Sequence, residues 1–206
     1  RTTMTAKVSD ETLLSWADSD ELFVQLFLHG RKSLPPKVME SLSFSSHKDI
    51  QQLAISRKAL AEDEQLGWAN SDDIALKIAV AQKQELTEKV QLILAKDKNI
   101  QVREALAANI SICAEAQTIL AADPQGNITK ILLEKEDLKR DALTELCKTC
   151  DEKQAFELAL EADLSNVQVA TLATRFSADI VYVLARRGLF TNLLSRERVV
   201  ELVNSR

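Results

Sequence analysis

The sequence contains little glycine, proline, cysteine or aromatic residue. Of its 206 residues, four are glycine, three are proline, three are cysteine, and aromatic residues make up 4%. Because tight turns depend on glycine and proline, their scarcity argues against a β-sandwich or a β-barrel. The shortage of aromatic residues argues against one thick core and favours many thin layers closed by aliphatic side chains. Strong helix formers (Ala, Leu, Glu, Lys and Gln) dominate instead, so the sequence predicts an all-α protein.

A long apolar run and a basic character are missing as well. The longest apolar stretches, such as residues 180–185, fall far short of a membrane span, and residues 1–3 lead into polar sequence rather than a secretory signal. We therefore expect a cytoplasmic protein that does not enter a membrane. The net charge of −5 disfavours binding to a nucleic-acid backbone. Three cysteines in a chain of this length do not make a disulfide framework.

An apolar residue recurs every 26 residues from Val8 to Phe190. Eight residues after each of the first seven such positions lies a large residue, and a small residue follows it. We call these positions the large-residue column (Trp16, Leu42, Trp68, Leu94, Leu120, Leu146 and Leu172) and the small-residue column (Ala17, Ser43, Ala69, Ala95, Ala121, Cys147 and Ala173). The large residues are expected to be buried between layers, and the small ones to let a neighbouring helix approach closely.

Each 26-residue unit predicts two short helices. Ser71, followed by two acids, is predicted to cap one helix, Pro36 to open another, and Gly30 and Gly188 to end helices in a left-handed conformation. A helix of about ten residues is not stable alone, so the layers on either side must hold it. The sequence thus predicts a single α-helical repeat domain over residues 1–206, an α-solenoid of about eight two-helix repeats. An irregular joint is expected near residues 123–128 and a terminal cap at about 190–206.

Residues 94–109 carry the most regular unit. They read Leu-Ala-Lys-Asp-Lys-Asn-Ile-Gln-Val-Arg-Glu-Ala-Leu-Ala-Ala-Asn, and degenerate copies begin at Trp16 and Trp68. This pattern resembles the leucine-rich repeat variant, a HEAT-like family of short helical repeats. The resemblance implies a curved, right-handed superhelix that serves as an adaptable binding scaffold, and it implies no particular reaction.

Two pairs of residues allow a functional and a structural interpretation. Cys147 and Cys150 form a C-x-x-C motif, which is half of a zinc site or a redox pair in other proteins. Here the motif ends a predicted helix and both histidines lie about four layers away, so we expect an ordinary reduced, partly buried pair. Asp97 and Arg103 fit a ligand site, or else a helix cap and an ion pair with an acid of the adjacent layer, which we favour.

The sequence contains no nucleophile elbow, metal-binding helix motif or glycine-rich phosphate loop. It therefore indicates no catalytic, cofactor-binding or metal-binding residue, and Trp16 and Trp68 are expected in the core rather than in a base-stacking site. The function that we predict is a non-enzymatic protein-interaction or scaffolding module with a concave helical-repeat surface. The alternatives are a HEAT-like DNA-acting enzyme of the base-excision glycosylase type and a cofactor-attachment chaperone of the bilin lyase type.

The C-terminal end is richer in arginine than the remainder of the chain. From Thr171 onward six arginines face three acids, which gives a local charge of +3. The sequence predicts a partner-binding surface at Arg186, Arg187, Arg196 and Arg198, for an acidic protein or peptide or for the acidic half of a second copy. The structural alternative is a solvated cap, which a terminal repeat needs whatever it binds. The oligomeric state stays open.

Overall fold

The computed structural model describes residues 8–31, 33–123 and 125–189. Within these residues it contains fourteen α-helices of eight to ten residues and no β-strand. In chain order the helices are α1 (Asp10–Ala17), α2 (Leu22–His29), α3 (Pro36–Ser43), α4 (Lys48–Arg57), α5 (Glu62–Ala69), α6 (Ile74–Ala81), α7 (Glu88–Ala95), α8 (Ile100–Ala108), α9 (Ala114–Ala121), α10 (Gly126–Leu133), α11 (Arg140–Thr149), α12 (Glu152–Glu161), α13 (Asn166–Arg175) and α14 (Ala178–Arg186). The all-α class is therefore confirmed for the described residues, and the predicted cap lies outside them.

Side-chain caps fix where several helices begin. The Asp73 and Asn99 carboxyl and amide oxygens each accept a hydrogen bond from the N–H two residues further on, at 3.0 and 2.8 Å. Such caps satisfy N–H groups that the first turn of a helix leaves without a partner. The predicted cap at Ser71 is wrong, because the Ser71 hydroxyl binds the Asp73 N–H in the preceding turn and α6 begins at Ile74.

Of the glycines and the proline that the sequence places at helix ends, some have the predicted backbone conformation and one does not. Pro36 is the first residue of α3, a position where the N–H that proline lacks would have no helical partner. Gly188, just after α14, has a φ of 72°, so the predicted left-handed helix end is confirmed there. It is wrong for Gly30, which follows α2 with a φ of −67° and remains right-handed.

The helices group into two compact units, the first ending at Leu94 and the second beginning at Ala95. In the first unit α1 packs on α2 and α3, α4 packs on α2, α3 and α6, and α5 packs on α6. In the second unit α8 packs on α9 and α10, α11 packs on α9 and α13, and α14 packs on α12 and α13. Within each unit, therefore, helices contact both the next helix and the next but one along the chain. A single repeat domain stays a prediction.

The two predicted columns account for much of the core. All five leucines of the large-residue column are fully buried, and all seven residues of the small-residue column are buried. Leucine at the former position fills the space between helices, while the small side chain beside it allows close packing. Trp16 and Trp68 depart from the prediction, because both are only partly buried. Their rings extend past the core and contact aromatic rings at the surface, Phe27 and Phe44 respectively.

Candidate interaction surface

One side-chain hydrogen bond recurs at the turns between paired helices. The side-chain oxygens of four residues spaced 26 apart each accept a hydrogen bond from the N–H two residues further on, at 2.8–3.1 Å. These residues are Ser45, Ser71, Asp97 and Asp123. Serine and aspartate favour this local bond because a short side chain reaches its own main chain. The 26-residue spacing of the sequence thus corresponds to a repeated turn geometry.

Buried glutamines form a second recurrent set, which we call the glutamine column: Gln65, Gln91 and Gln117. Each donates its Nε2 hydrogen to the carbonyl oxygen five residues earlier, at 3.0, 3.0 and 3.4 Å. The Gln117 Oε1 also accepts from the N–H of Lys139 at 2.8 Å, and the Gln65 Oε1 accepts from the N–H of Thr87 at 3.1 Å. These glutamines therefore satisfy main-chain groups that would otherwise be buried without a partner.

A third recurrent set joins the ends of successive second helices. Four positions of the 26-residue frame carry cations that we call the cation column (Arg57, Lys83, Lys135 and Arg187), whereas the frame's other two positions in this range hold Asn109 and Glu161. Each of the four cations donates to main-chain carbonyl oxygens 25–28 residues earlier, at distances of 2.5–3.0 Å. Carbonyl groups at a helix C-terminus carry partial negative charge, so a cation is favoured there. Burial lowers the pKa of the Lys83 and Lys135 ammonium groups, with Glu85 and Asp137 acting in the opposite direction.

Of the structural roles that we favoured, the ion pair of Arg103 with an acid of the adjacent layer is present, but the helix cap by Asp97 is wrong. The Arg103 Nε lies 2.5 Å from the Asp123 Oδ2, and its Nη1 donates to the Asp97 carbonyl oxygen at 2.8 Å. Both members of the ion pair are largely buried, with side chains 14% and 9% exposed. Asn99 rather than Asp97 is the residue that caps α8. The pair therefore connects the turns before α8 and before α10.

Cys147 and Cys150 lie at the end of α11 as free, buried thiols. Burial raises the pKa of the Cys147 thiol to about 12, with the neighbouring Cys150 adding to the shift. Burial also raises the pKa of Cys150, although Arg175 opposes it. A thiol that stays protonated is a poor nucleophile and a poor metal ligand. The described residues contain no group of three or more His, Cys, Asp and Glu placed to hold a metal ion.

The structure separates the predicted arginine site into residues with different environments. Arg186 and Arg187 are both exposed at the end of α14, but the Arg187 Nη1 also donates to the carbonyl oxygens of Ala159 and Ala162 at 2.8 and 3.0 Å. Arg187 is thus held against the end of α12. Arg196 and Arg198 lie outside the described residues.

An apolar surface that was not predicted from the sequence lies on α2, in the first unit. Leu22, Phe23, Leu26 and Phe27 are all exposed, with Phe23 82% and Phe27 59% accessible. Together we call them the α2 face. The buried residues of this helix, Gln25 and Leu28, lie on the opposite side. A helix whose outer side is apolar presents an unusual surface, since solvent-facing helical positions are normally polar.

The orientation of α2 is fixed by polar contacts beneath it. Gln25 donates its Nε2 hydrogens to the carbonyl oxygens of Ala17 and Ser19 at 3.0 and 2.8 Å, and its Oε1 accepts from the Ser45 hydroxyl at 2.6 Å. At the other end, Arg57 donates to the carbonyl oxygens of His29 and Arg31 at 2.7 and 2.8 Å. These bonds hold the helix so that its apolar side faces outward.

Helix α4, which packs on α2, also carries an exposed apolar residue. Leu53 of α4 is exposed, and it lines a cavity of about 320 Å³ between α4 and α6 together with Ala75, Ile78 and Ala79. A signal for the α2 face was present in the sequence: residues 22–28 contain a single polar residue, Gln25, where an amphipathic helix would carry several.

Acidic residues surround the start of α2. Residues 9–30 contain five carboxylates and no lysine or arginine. Asp18, Asp20 and Glu21, which directly precede the helix, are exposed. The Asp18 Oδ1 accepts from the Ser41 hydroxyl at 2.5 Å, and the Asp20 Oδ1 accepts from the Ser46 hydroxyl. The apolar α2 face therefore adjoins a negatively charged rim.

No helix in the described part of the chain is long and apolar enough to cross a membrane. In comparisons with known proteins, no family model, curated protein or solved structure matches this chain.

Proposed function

We propose that the chain is a non-enzymatic protein-interaction module, built as a right-handed α-solenoid of about eight two-helix repeats of the HEAT-like type that resembles the leucine-rich repeat variant. The hydrogen bonds that recur every 26 residues support the repeat, because the same side chain performs the same main-chain contact in successive units. Stacked repeats of this kind provide extended surfaces for binding other proteins.

The exposed α2 face is the observation that carries the interaction function. An aromatic side chain that is 82% exposed, as Phe23 is, gains little free energy from burial in the folded chain. A contiguous apolar surface with a charged rim is typical of a protein-binding site. Phenylalanine, with a large rigid side chain, is among the residues enriched at the centre of such interfaces.

The arginines at the C-terminal end remain a predicted second contact, for an acidic partner. Arg186 and Arg187 are both exposed, but the Arg187 guanidinium already donates to the end of α12, so Arg186 is the member that tests the contact. Replacing it by glutamate should weaken binding of an acidic partner and leave the fold intact. Arg187→Glu does not test binding cleanly, because it also removes the hydrogen bonds to α12.

Photo-crosslinking tests the proposed function directly. A photo-reactive phenylalanine analogue is placed at position 23 and, as a matched control, at Val167 of α13, which is 64% exposed. Irradiation in the native host should give a discrete protein adduct from position 23 that is absent from position 167. Identical adduct patterns from both positions, or no protein adduct from position 23, would contradict the proposal.

A further inference from the structure

We infer that the partner of the α2 face is a basic amphipathic helix of another protein, with its apolar side on Phe23 and Phe27 and its lysines or arginines on Asp18, Asp20 and Glu21. This inference rests on the proposed function and specifies the chemistry of the partner. The apolar face and the acidic rim carry it together.

The apolar part of the surface fits the side of a helix. The four exposed residues form one stripe on α2, and α4, which packs on α2, carries the exposed Leu53. Apolar residues spaced three and four apart on a partner helix would lie along this stripe. The cavity between α4 and α6, lined by Ile78 and Ala79, lies beside Leu53 and can take one further apolar side chain.

The charge of the rim selects a basic partner over an acidic or neutral one. All five charged side chains of the helical hairpin α1–α2 are carboxylates. The hairpin therefore has a charge of −5, which equals the net charge of the whole chain. Its three acids nearest the face, Asp18, Asp20 and Glu21, are exposed to solvent. A lysine-rich helix gains attraction there, and a glutamate-rich helix is repelled. The same carboxylates oppose binding to an anionic membrane surface.

Peptide binding tests the inference on the whole chain. The probe is a labelled synthetic peptide of about 18 residues, long enough to form a helix, built from Leu, Ala and Lys with leucines three and four apart. A second peptide replaces every lysine by glutamate and keeps the apolar side. Fluorescence anisotropy should give a dissociation constant for the lysine peptide at least about tenfold lower than for the glutamate peptide, in low salt.

Variants of the chain locate the contact. Phe23→Ala with Phe27→Ala should raise the dissociation constant of the lysine peptide about tenfold or more, because two aromatic contacts are lost. Asp20→Asn with Glu21→Gln should raise it about threefold or more, and added salt should remove that difference. Ile110→Ala, which changes a side chain 68% exposed in the second unit, is the matched control and should leave binding unchanged. Circular dichroism checks that each variant keeps its helices.

Equal binding of both peptides, or tight binding that survives loss of both phenylalanines, would overturn the inference. Self-association of the chain that disappears with Phe23→Ala and Phe27→Ala would also overturn it, because a second copy would then cover the face. So would phenylalanine-dependent binding to phosphatidylcholine vesicles with no binding of the lysine peptide. If crosslinking from position 23 finds a protein partner while the lysine peptide does not bind, only the basic-helix inference fails and the proposed function stands.

Discussion

Single side chains in this protein mainly form hydrogen bonds to main-chain groups or are buried away from water. The cysteine pair shows the second case, and in the partly buried His29 both ring nitrogens are shielded from water. At this scale the sequence predicted a reduced, partly buried cysteine pair, because Cys147 occupies a position that is alanine in most units; in the structure both thiols are free and fully buried. It gave no indication for His29, whose environment depends on Arg57, a residue 28 positions away that folding brings beside it.

The thiols of Cys147 and Cys150 should react slowly in the folded protein. With the Cys147 pKa raised to about 12, very little thiolate forms at mildly alkaline pH, and both sulfur atoms are buried. We expect an aromatic disulfide reagent to titrate one thiol quickly, that of the partly exposed Cys113, and the other two only after denaturation. Three thiols reacting at the same fast rate in folded protein would show that the pair is accessible.

His29 should make the protein less stable in mild acid. Both ring nitrogens are buried without a hydrogen-bond partner among the described residues. Burial and the Arg57 charge lower the pKa of His29 below 6.5, while a contact with the Ile50 main chain opposes them. At pH values near and below the pKa of free histidine, the folded state therefore binds fewer protons than the unfolded state. The free energy of unfolding should fall as pH decreases through 6.5 and towards the pKa of the folded state.

Urea denaturation of His29→Gln at several pH values measures this effect. The variant should show a flatter dependence on pH across that window than the wild-type chain. A slope that His29→Gln leaves unchanged would assign the pH dependence to other groups.

At the scale of helices, side chains of one 26-residue repeat form hydrogen bonds to main-chain groups at the helix ends of the neighbouring repeat. Gln117 of α9 joins the carbonyl oxygen of Ile112 to the N–H of Lys139, which caps α11. The cation column acts similarly on second helices. The sequence predicted the helices and the buried leucines because these follow an apolar pattern with a fixed period. The polar columns follow the same 26-residue frame, but a glutamine or a lysine in a sequence does not reveal which main-chain group it will bind, so the sequence did not predict these contacts.

Gln117→Leu should destabilise the second unit. The side chain is fully buried, and leucine has similar size but offers no donor or acceptor, so the Ile112 carbonyl and the Lys139 N–H lose their partner. The expected loss in the free energy of unfolding is about 1–3 kcal/mol. Gln101→Leu, at an exposed position of α8, is the control and should change it by less than about 0.5 kcal/mol. Equal effects of the two substitutions would mean that Gln117 does not join the two helices.

For the molecule as a whole, the proposed function depends on one claim, that successive units of 26 residues are equivalent. The all-α class followed from composition. The exposed α2 face did not, because an apolar helix in a sequence is indistinguishable from a buried one until its neighbours are placed. Equivalent units would explain why the same turn, glutamine and cation contacts recur, and why one unit can differ on its outer surface without disturbing the core.

Removing one complete unit tests this claim most directly. Deleting residues 123–148 removes 26 residues and joins Ala122 to Thr149. Thr149 occupies the same position in its repeat as Asp123 does in the preceding one. The first helix of one repeat, α9, is then followed by the second helix of the next, α12, so the order of first and second helices is kept. Deleting only residues 123–135 removes α10 and leaves two first helices in succession. Thermal unfolding followed by circular dichroism should show the longer deletion helical and cooperatively unfolding, and the shorter one much less stable. Loss of cooperative unfolding in the longer deletion, to the same extent as in the shorter, would contradict the repeat.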